Sequence, residues 1–257
     1  MEIKKKQSMR KRSAARRIVV LLLLAVFLFS LYQTLRILYG YRQAKAVYEN
    51  AERAYLIPVS RDETEAETER IPPTIDFEAL RAVNKDVIGW IFIEDTEVNY
   101  PILLGTNNQQ YLFQSYEKKY TVAGSIFLDY RCGADFEDAR TVVYGHNMKN
   151  GMMFGKLDRY QKADYLAEHP YVYILLAEGG WKKYRVLDCG QAAIDGETYD
   201  LPRSTEDADA DRILTLSTCT NDSRDDVRFV VNCVLEEVGT QEDPAWSVHH
   251  LRPHAPR

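Results

Sequence analysis

Residues 213–219 read ILTLSTC, and residues 227–235 read VRFVVNCVL. Both stretches are rich in β-branched and apolar residues and are separated by a polar loop, which is typical of buried strands. The first stretch ends in Cys219, and Arg228 follows only nine residues later. A turn between the two strands can return Arg228 to the side of Cys219. The pair of stretches therefore predicts a β domain with a cysteine at the point where a strand opens into a loop.

Six more short runs of this kind lie upstream, separated by turns at a spacing typical of a sandwich or a barrel. The predicted strands cover residues 87–93, 98–103, 125–128, 141–144, 171–176, 183–187, 213–218 and 227–235. Helices are predicted at residues 76–84, which read DFEALRAVN, and near residues 109–113 and 154–168. The sequence thus predicts one mainly-β domain over residues 76–238.

Charge is distributed unevenly along the 257 residues. Lys and Arg number 33 against 38 Asp and Glu, yet residues 1–17 carry eight basic side chains and one acidic side chain. The remainder is therefore acidic as a whole, which argues against nucleic-acid binding. A basic segment directly before an apolar run, here IVVLLLLAVFLFSLY at residues 18–32, is the topology signal of a membrane helix.

The apolar run predicts an uncleaved membrane anchor. Extended to residue 39 it reaches about 33 Å as a helix, enough to cross a hydrocarbon core of ~30 Å. The alternative is a cleaved signal peptide, but the small residues at 44–46 lie about a dozen residues beyond the apolar core, too late for cleavage. We expect a cytoplasmic basic tail at residues 1–17, a transmembrane signal-anchor helix at residues 18–39 and an extracytoplasmic remainder.

Two further segments flank the predicted domain. Residues 40–75 are expected to hold a membrane-proximal helix at 41–56 and an acidic spacer that includes RDETEAETER at 61–70. Residues 239–257 are expected to form a disordered tail, in which three histidines are too scattered to suggest a metal site. The acidic residues lack the spacing of a calcium loop, so we expect no metal and no cofactor.

A cysteine and a histidine at strand ends are the candidate reactive groups. Cys219 closes its strand, and His146 follows the strand TVVY and precedes the loop NMKNG. Such a pair is the minimal apparatus for acyl transfer through a thioester, and Arg228 can supply a donor to the developing oxyanion. From the residues alone, Cys219 can also be a core cysteine and Arg228 an exposed strand arginine. Inert, buried thiols are expected for the cysteines in apolar strand contexts, Cys132, Cys189 and Cys233.

The motifs around these residues resemble the sortase family and, within it, class B. The matching segments are TLSTC at 215–219, RFVV at 228–231, YGHNM at 144–148 followed by MF at 153–154, GSIFLDYR at 124–131 and DVIGWI at 86–91. The likeness covers about residues 76–236. It implies a closed eight-stranded β-barrel with a few short helices, preceded by the anchor helix, and the activity of a cysteine transpeptidase.

The resemblance also implies roles for individual residues. The Cys219 thiolate attacks the carbonyl of a Thr in a sorting signal, Arg228 donates to the oxyanion, and His146 protonates the leaving amine. An amine of a peptidoglycan precursor, of the lipid II type, then resolves the thioester. The implied partners are surface proteins with sorting signals, and the implied location is the membrane of a Gram-positive bacterium, with the catalytic domain facing the cell wall.

Five positions match residues that line the sorting-signal cleft in class B enzymes. They are Asn108, Leu112, Tyr144, Ser217 and Thr218, of which Leu112 can equally be a core residue. One departure from the family concerns the segment before the nucleophile strand. Class B enzymes usually carry a long helical insertion there, whereas residues 195–212 are short and acidic and leave room for only one helical turn. The substrate motif therefore stays open.

Three other functions remain possible from the sequence. A pilin-polymerising sortase would share every catalytic residue but use a pilin lysine as acceptor. A plain cysteine peptidase would hydrolyse the thioester without transfer to an amine. A non-catalytic cell-surface binding domain on the same barrel would not need Cys219 at all.

Overall fold

The computed structural model describes residues 2–57, 73–199, 201, 212–219 and 226–240, with the backbone alone at residues 2–15 and 219. The predicted acidic stretch at 61–70, most of the acidic loop at 195–212 and the predicted tail beyond residue 240 lie outside these residues. Internal contacts divide the chain into two units, Met1–Gln43 and Ala44–Arg257.

The first unit is part of a single helix, α1 (Glu2–Tyr55). Within it, Arg16–Tyr55 includes a window of mean hydropathy 2.5, none of which is buried. Large apolar side chains such as Leu21 and Phe29 are more than 60% exposed. A helix of this length and composition can cross a membrane, and the hydrocarbon would cover these side chains. The helix is a candidate anchor that agrees with the predicted span at 18–39.

The last turns of α1 belong to the second unit. Ala44 and Ala51 are fully buried, and Tyr48 is 4% exposed. The Tyr48 hydroxyl donates to the Gly124 carbonyl and lies 3.1 Å from the Ser125 hydroxyl. The compact unit thus begins well before residue 76, where the change in composition suggested a boundary.

Short elements connect α1 to the barrel. Strand β1 (Leu56–Ile57) pairs with β2 (Thr74–Ile75), and helix α2 (Phe77–Val83) follows. Asp76 caps α2, because its carboxylate accepts a hydrogen bond of 2.9 Å from the Ala79 amide.

The second unit is built around a closed barrel in the strand order β10-β8-β7-β3-β4-β5-β6-β9. Its strands are β3 (Val87–Phe92), β4 (Asn99–Leu104), β5 (Ile126–Leu128), β6 (Arg140–Tyr144), β7 (Tyr171–Leu176), β8 (Trp181–Ala193), β9 (Ile213–Cys219) and β10 (Val227–Gly239). The core is largely apolar. Fully buried side chains from different strands meet there, among them Trp90, Ile102, Val172, Leu216 and Val231.

The eight predicted strands are confirmed, and two of them are longer than predicted. β8 and β10 pair with each other along 13 residues each, with two irregularities in register. The predicted helix at 109–113 is wrong: this segment forms turns, in which the Asn107 carboxamide accepts hydrogen bonds from the amides of Gln109 and Gln110. The predicted helix at 154–168 is two short pieces, a 3₁₀ helix (Leu157–Gln161) and α3 (Ala163–Glu168).

Candidate active site

Strand β9 lies between two strands that place candidate functional residues near its end. It pairs in parallel with β6 and antiparallel with β10. In the second pairing, Cys219 is directly opposite Arg228. Residues directly opposite each other in an antiparallel pair project their side chains from the same face. The fold therefore sets Arg228 beside the candidate nucleophile, as the spacing of nine residues predicts.

The parallel pairing brings in His146 from the other side. Tyr144 is level with Ser217, and the Gly145 amide donates to the Ser217 carbonyl at 3.1 Å. His146 lies two residues beyond its last paired residue, as Cys219 lies two beyond Ser217. Both residues thus leave neighbouring parallel strands at the same edge of the barrel.

Glycine is required immediately before this histidine. A Cβ at Gly145 would lie 2.5 Å from the Ile126 side chain and 2.7 Å from the Phe154 ring. The chain then turns back, because the His146 carbonyl accepts hydrogen bonds from the amides of Met148, at 3.1 Å, and Phe154, at 3.0 Å. The loop that carries the histidine is therefore fixed at both ends.

The His146 ring is half-buried and held from one side. Its Nε2 atom lies 2.7 Å from the Leu112 carbonyl oxygen, a hydrogen-bonding distance. The Phe113 ring packs against it at 5.6 Å between centroids. A carbonyl oxygen only accepts, so this contact requires a proton on Nε2 of His146.

Side chains along β9 alternate between the two faces of the barrel wall. Leu214, Leu216 and Thr218 are buried, and Thr218 shares the interior face with the two leucines. Among the residues that the structure describes, the Thr218 hydroxyl has no hydrogen-bond partner. Ser217 belongs to the other face, the one shared with Cys219, and its hydroxyl lies 2.8 Å from that of Tyr199. Of these two predicted cleft residues, Ser217 faces the site and Thr218 faces the interior.

A cavity of about 620 Å³ opens on the same outer face. Its walls combine strand, loop and 3₁₀ residues, namely Asn108, Arg131, Tyr144, Ile194, Asp195, Gly196, Glu197 and Tyr199. A second 3₁₀ helix, Glu197–Tyr199, forms the outer wall. The Tyr199 ring stacks parallel to the Tyr144 ring at 6.3 Å and packs against Val142 and Val230. The described start of the acidic segment thus contributes this 3₁₀ helix to the cavity wall.

One buried carboxylate lies behind the cavity. Asp129 is 0% exposed, and Arg131 pairs with it through Nε and Nη2, each at 2.9 Å. The Asn108 amide group and the Tyr144 hydroxyl each donate to Asp129 Oδ2 at 2.9 Å. Burial alone would raise the pKa of Asp129, but the hydrogen bonds from Arg131, Asn108 and Tyr144 outweigh it and lower the net pKa.

The sequence interpretation missed several of the cavity residues. Asp129 and Arg131 stand inside the segment GSIFLDYR, and the signal for them was the pair of opposite charges two residues apart. Tyr199 carried no such signal, because it lies in an acidic stretch that reads as a solvated loop. Leu112, by contrast, contacts His146 through its backbone carbonyl group.

The surroundings of the other three cysteines are described by the structure. Within the described side chains Cys132, Cys189 and Cys233 are unbridged, and two of them are buried. Burial raises the pKa of Cys132 to about 11 and also raises the pKa of Cys189 and of Cys233. In the part of the chain that the structure describes, no group of His, Cys, Asp and Glu could hold a metal ion.

Comparison with known proteins identifies this arrangement. A family model described as Sortase domain matches residues 91–236, more than half of the chain. Sortase B of Listeria monocytogenes is 33% identical over 220 residues, which cover 76% of this chain and 86% of that protein. The chain therefore belongs to the sortase family.

Solved structures agree with this result. The structure of sortase B from B. anthracis in complex with AAEK1 has a TM-score of 0.60 and 27% identity, covering 78% of this chain and 99% of that one. A class B sortase of Streptococcus pyogenes involved in pilus biogenesis has a TM-score of 0.56 and 30% identity, covering 63% and 98%. The relatives are class B sortases, so the chain is a cysteine transpeptidase of this type.

Proposed function

We propose that this sortase attaches surface proteins to an amine of a peptidoglycan precursor, with Cys219, Arg228 and His146 as its catalytic residues. The observation that carries this assignment is the pairing of Cys219 with Arg228, beside the strand end that leads to His146. A nucleophile, an oxyanion donor and a proton carrier then meet at one edge of the barrel.

The proposed reaction has two halves. The Cys219 thiolate attacks the carbonyl carbon of a Thr in the sorting signal, and Arg228 donates to the oxygen that becomes negatively charged. The C–N bond after the Thr breaks as His146, an imidazolium, protonates the leaving amine. The acceptor amine then loses a proton to His146 and attacks the thioester, which forms the new amide bond and releases the Cys219 thiolate.

The cavity supports a groove for the sorting signal. Asn108 and Tyr144 line it, and Ser217 lies on the same face as Cys219. Leu112 contributes the carbonyl that contacts His146. We assign Thr218 a supporting role in the barrel interior, because it is buried on the opposite face of β9.

The acceptor distinguishes two functions. Anchoring uses an amine of a peptidoglycan precursor, whereas pilus assembly uses a lysine of another pilin. The similarity to the Streptococcus pyogenes sortase involved in pilus biogenesis supports the second function as an alternative. A cysteine peptidase and a non-catalytic binding domain are the more distant alternatives, and both predict no transfer to an amine.

The proposed topology follows from the charges beside the apolar helix. Residues 1–17 carry the basic excess and stay in the cytoplasm, and the barrel faces the cell wall. A sorting signal that is exported through the same membrane would reach the barrel on the outer side.

A direct test uses the fragment 44–257, which retains the helical turns that pack on the barrel. The fragment is incubated with a library of Thr-containing pentapeptides and, in parallel, with triglycine or a pilin-derived lysine peptide. Mass spectrometry is expected to detect a thioester on Cys219 and an amide product. Cys189→Ala is the matched control and should behave as wild type. Transfer by Cys219→Ala, or hydrolysis alone with every amine, would contradict the proposal.

A further inference from the structure

Asp129 is a buried carboxylate that takes no part in the proposed reaction steps. It has no exposed surface, and its two oxygens accept five hydrogen bonds. Three come from the amide, Nε and Nη2 of Arg131, and the others come from Asn108 and Tyr144. All three partners line the cavity, whereas Asp129 itself does not. A carboxylate in this position controls the cavity through its neighbours.

An ionised carboxylate only accepts hydrogen bonds, and this fixes the polarity of each partner. The Tyr144 hydroxyl must donate to Asp129, so its oxygen is left with lone pairs that can accept. The Asn108 amide group donates one hydrogen to Asp129, while its oxygen accepts from the Tyr130 amide at 3.0 Å. One N–H of Asn108 is therefore left to donate. Arg131 is also fixed, because its Nη1 donates to the Tyr199 carbonyl at 3.3 Å.

We propose that Asp129 is a positioning residue that sets the hydrogen-bond polarity of the groove for the sorting signal, so that Tyr144 accepts from the N–H, and Asn108 donates to the C=O, of one residue in the extended backbone of the sorting signal. This inference rests on the proposed function of the cavity. In an extended strand the N–H and the C=O of one residue point to the same side, so they match an acceptor and a donor held on a common carboxylate. The recognition would be of the extended peptide backbone and would add to any selection by side chains.

The matched control is a second carboxylate with similar partners outside the cavity. Asp86 accepts hydrogen bonds from Tyr111, at 2.5 Å, and Lys118, at 2.8 Å, and its pKa is also lowered. Asp86→Asn removes the same charge from a Tyr-bonded aspartate without touching the proposed groove. Comparing the two variants separates the effect of losing a structural carboxylate from the effect of changing the hydrogen-bond donors and acceptors in the groove.

The test compares Asp129→Asn, Tyr144→Phe and the double variant, each in the fragment 44–257. Acylation of Cys219 by the best donor peptide is followed by mass spectrometry, and the melting temperature is measured alongside. Asp129→Asn presents an N–H to partners that donate, so kcat/KM for the donor is expected to fall about tenfold or more, mainly through KM. The ratio of amine transfer to hydrolysis is expected to stay unchanged, because it depends on the acceptor.

The double variant decides whether Asp129 acts through Tyr144. If it does, the fold decrease in kcat/KM of Asp129→Asn/Tyr144→Phe is smaller than the product of the fold decreases of the two single variants. Equal losses in Asp129→Asn and Asp86→Asn, or strictly multiplicative losses in the double variant, would overturn the inference. N-methylation of the donor-peptide amide that donates to Tyr144 removes this hydrogen bond. The modification should therefore reduce the activity of Asp129→Asn by a smaller factor than the activity of wild type. If wild type forms no thioester at all, the proposed function fails instead, and the two failures are thus distinguishable.

Discussion

Arg228 and Cys219 are directly opposite each other where β9 pairs with β10. The Arg228 side chain is half-buried at the start of β10. Its Nη1 donates to the Val227 carbonyl at 3.1 Å, which directs the guanidinium along the strand end rather than away from it. A guanidinium presents five N–H donors in a planar fork, a geometry suited to donating to a developing oxyanion.

Replacing this guanidinium by an ammonium should therefore impair acylation. Arg228→Lys is expected to lower kcat for thioester formation by about 10²–10³-fold, the loss typical of one oxyanion donor, while the fold is retained. Single-turnover acylation of Cys219 by a donor peptide is the measurement. Arg185→Lys, on β8 and paired with the exposed Glu236, is the control and should keep full activity. If Arg228→Lys were acylated at the wild-type rate, Arg228 would not be a catalytic residue.

Thiol-specific alkylation should distinguish Cys219 from the other cysteines. Burial raises the pKa of Cys132 to about 11 and raises the pKa of Cys189 and Cys233, so these thiols are protonated at pH 7. Iodoacetamide at pH 7 is expected to add one carbamidomethyl group to wild type and none to Cys219→Ala, because only thiolates react. Intact-protein mass spectrometry gives the count. A second rapid adduct on Cys189, which is partly exposed, would contradict the assignment of a single reactive thiol.

The acidic rim of the cavity should influence substrate choice. Asp195 and Glu197 line it, and a basic residue in the sorting signal would be attracted to them. Asp195→Asn/Glu197→Gln is expected to weaken a lysine-containing donor by about 3–10-fold in KM and to reduce the salt dependence of binding. A donor with glutamine in place of lysine should be unaffected. Asp164→Asn, on α3, provides the control for a general change in charge.

The turns of α1 that pack on the barrel should contribute to its stability. Tyr48 is buried, and its hydroxyl bonds with Gly124 and Ser125, so Tyr48→Phe leaves these partners without it. The expected loss is about 1–3 kcal/mol in the free energy of unfolding of the fragment 44–257, measured with urea. Tyr120→Phe, at an exposed ring, should change nothing. A fragment that starts at residue 71 should be less stable still, and equal stability would show that α1 is dispensable.

Acid stability should depend on Asp129. Its folded-state pKa is below the ordinary value of about 3.9, so its charge stabilises the fold above pH 4, and this contribution is lost as the pH falls through the folded pKa. Wild type is thus expected to lose stability as the pH falls below about 4, and Asp129→Asn to lose less over the same interval. Urea unfolding at several pH values provides the comparison. A parallel decline in both proteins would assign the acid sensitivity to other carboxylates.

The strands and the placement of Cys219 beside Arg228 could be predicted because each rests on a local pattern. Alternation and β-branched residues define β9 and β10, and the spacing between Cys219 and Arg228 already fits a hairpin. The partnership of β6 with β9 could not be derived from the residues, since Tyr144 and Ser217 pair across 73 positions and nothing local records that contact.

The packed part of α1 and the outer wall of the cavity were missed for a related reason. Residues 44–51 alternate small and aromatic side chains on one face, which also fits a solvent-exposed helix near a membrane. Tyr199 lies among acidic residues, and its burial depends on contacts with Val142 and Val230 from other strands. Such contacts exist only after the barrel has closed.

The position of β9 between β6 and β10 also determines when the enzyme becomes reactive during folding. Closing the barrel requires β9 to pair on both sides, and its pairing with β6 joins residues 73 positions apart, which costs chain entropy. The same event brings His146 and Arg228 to Cys219. With the proposed catalytic residues, transpeptidase activity would therefore appear only once β9 has paired with both of its neighbours.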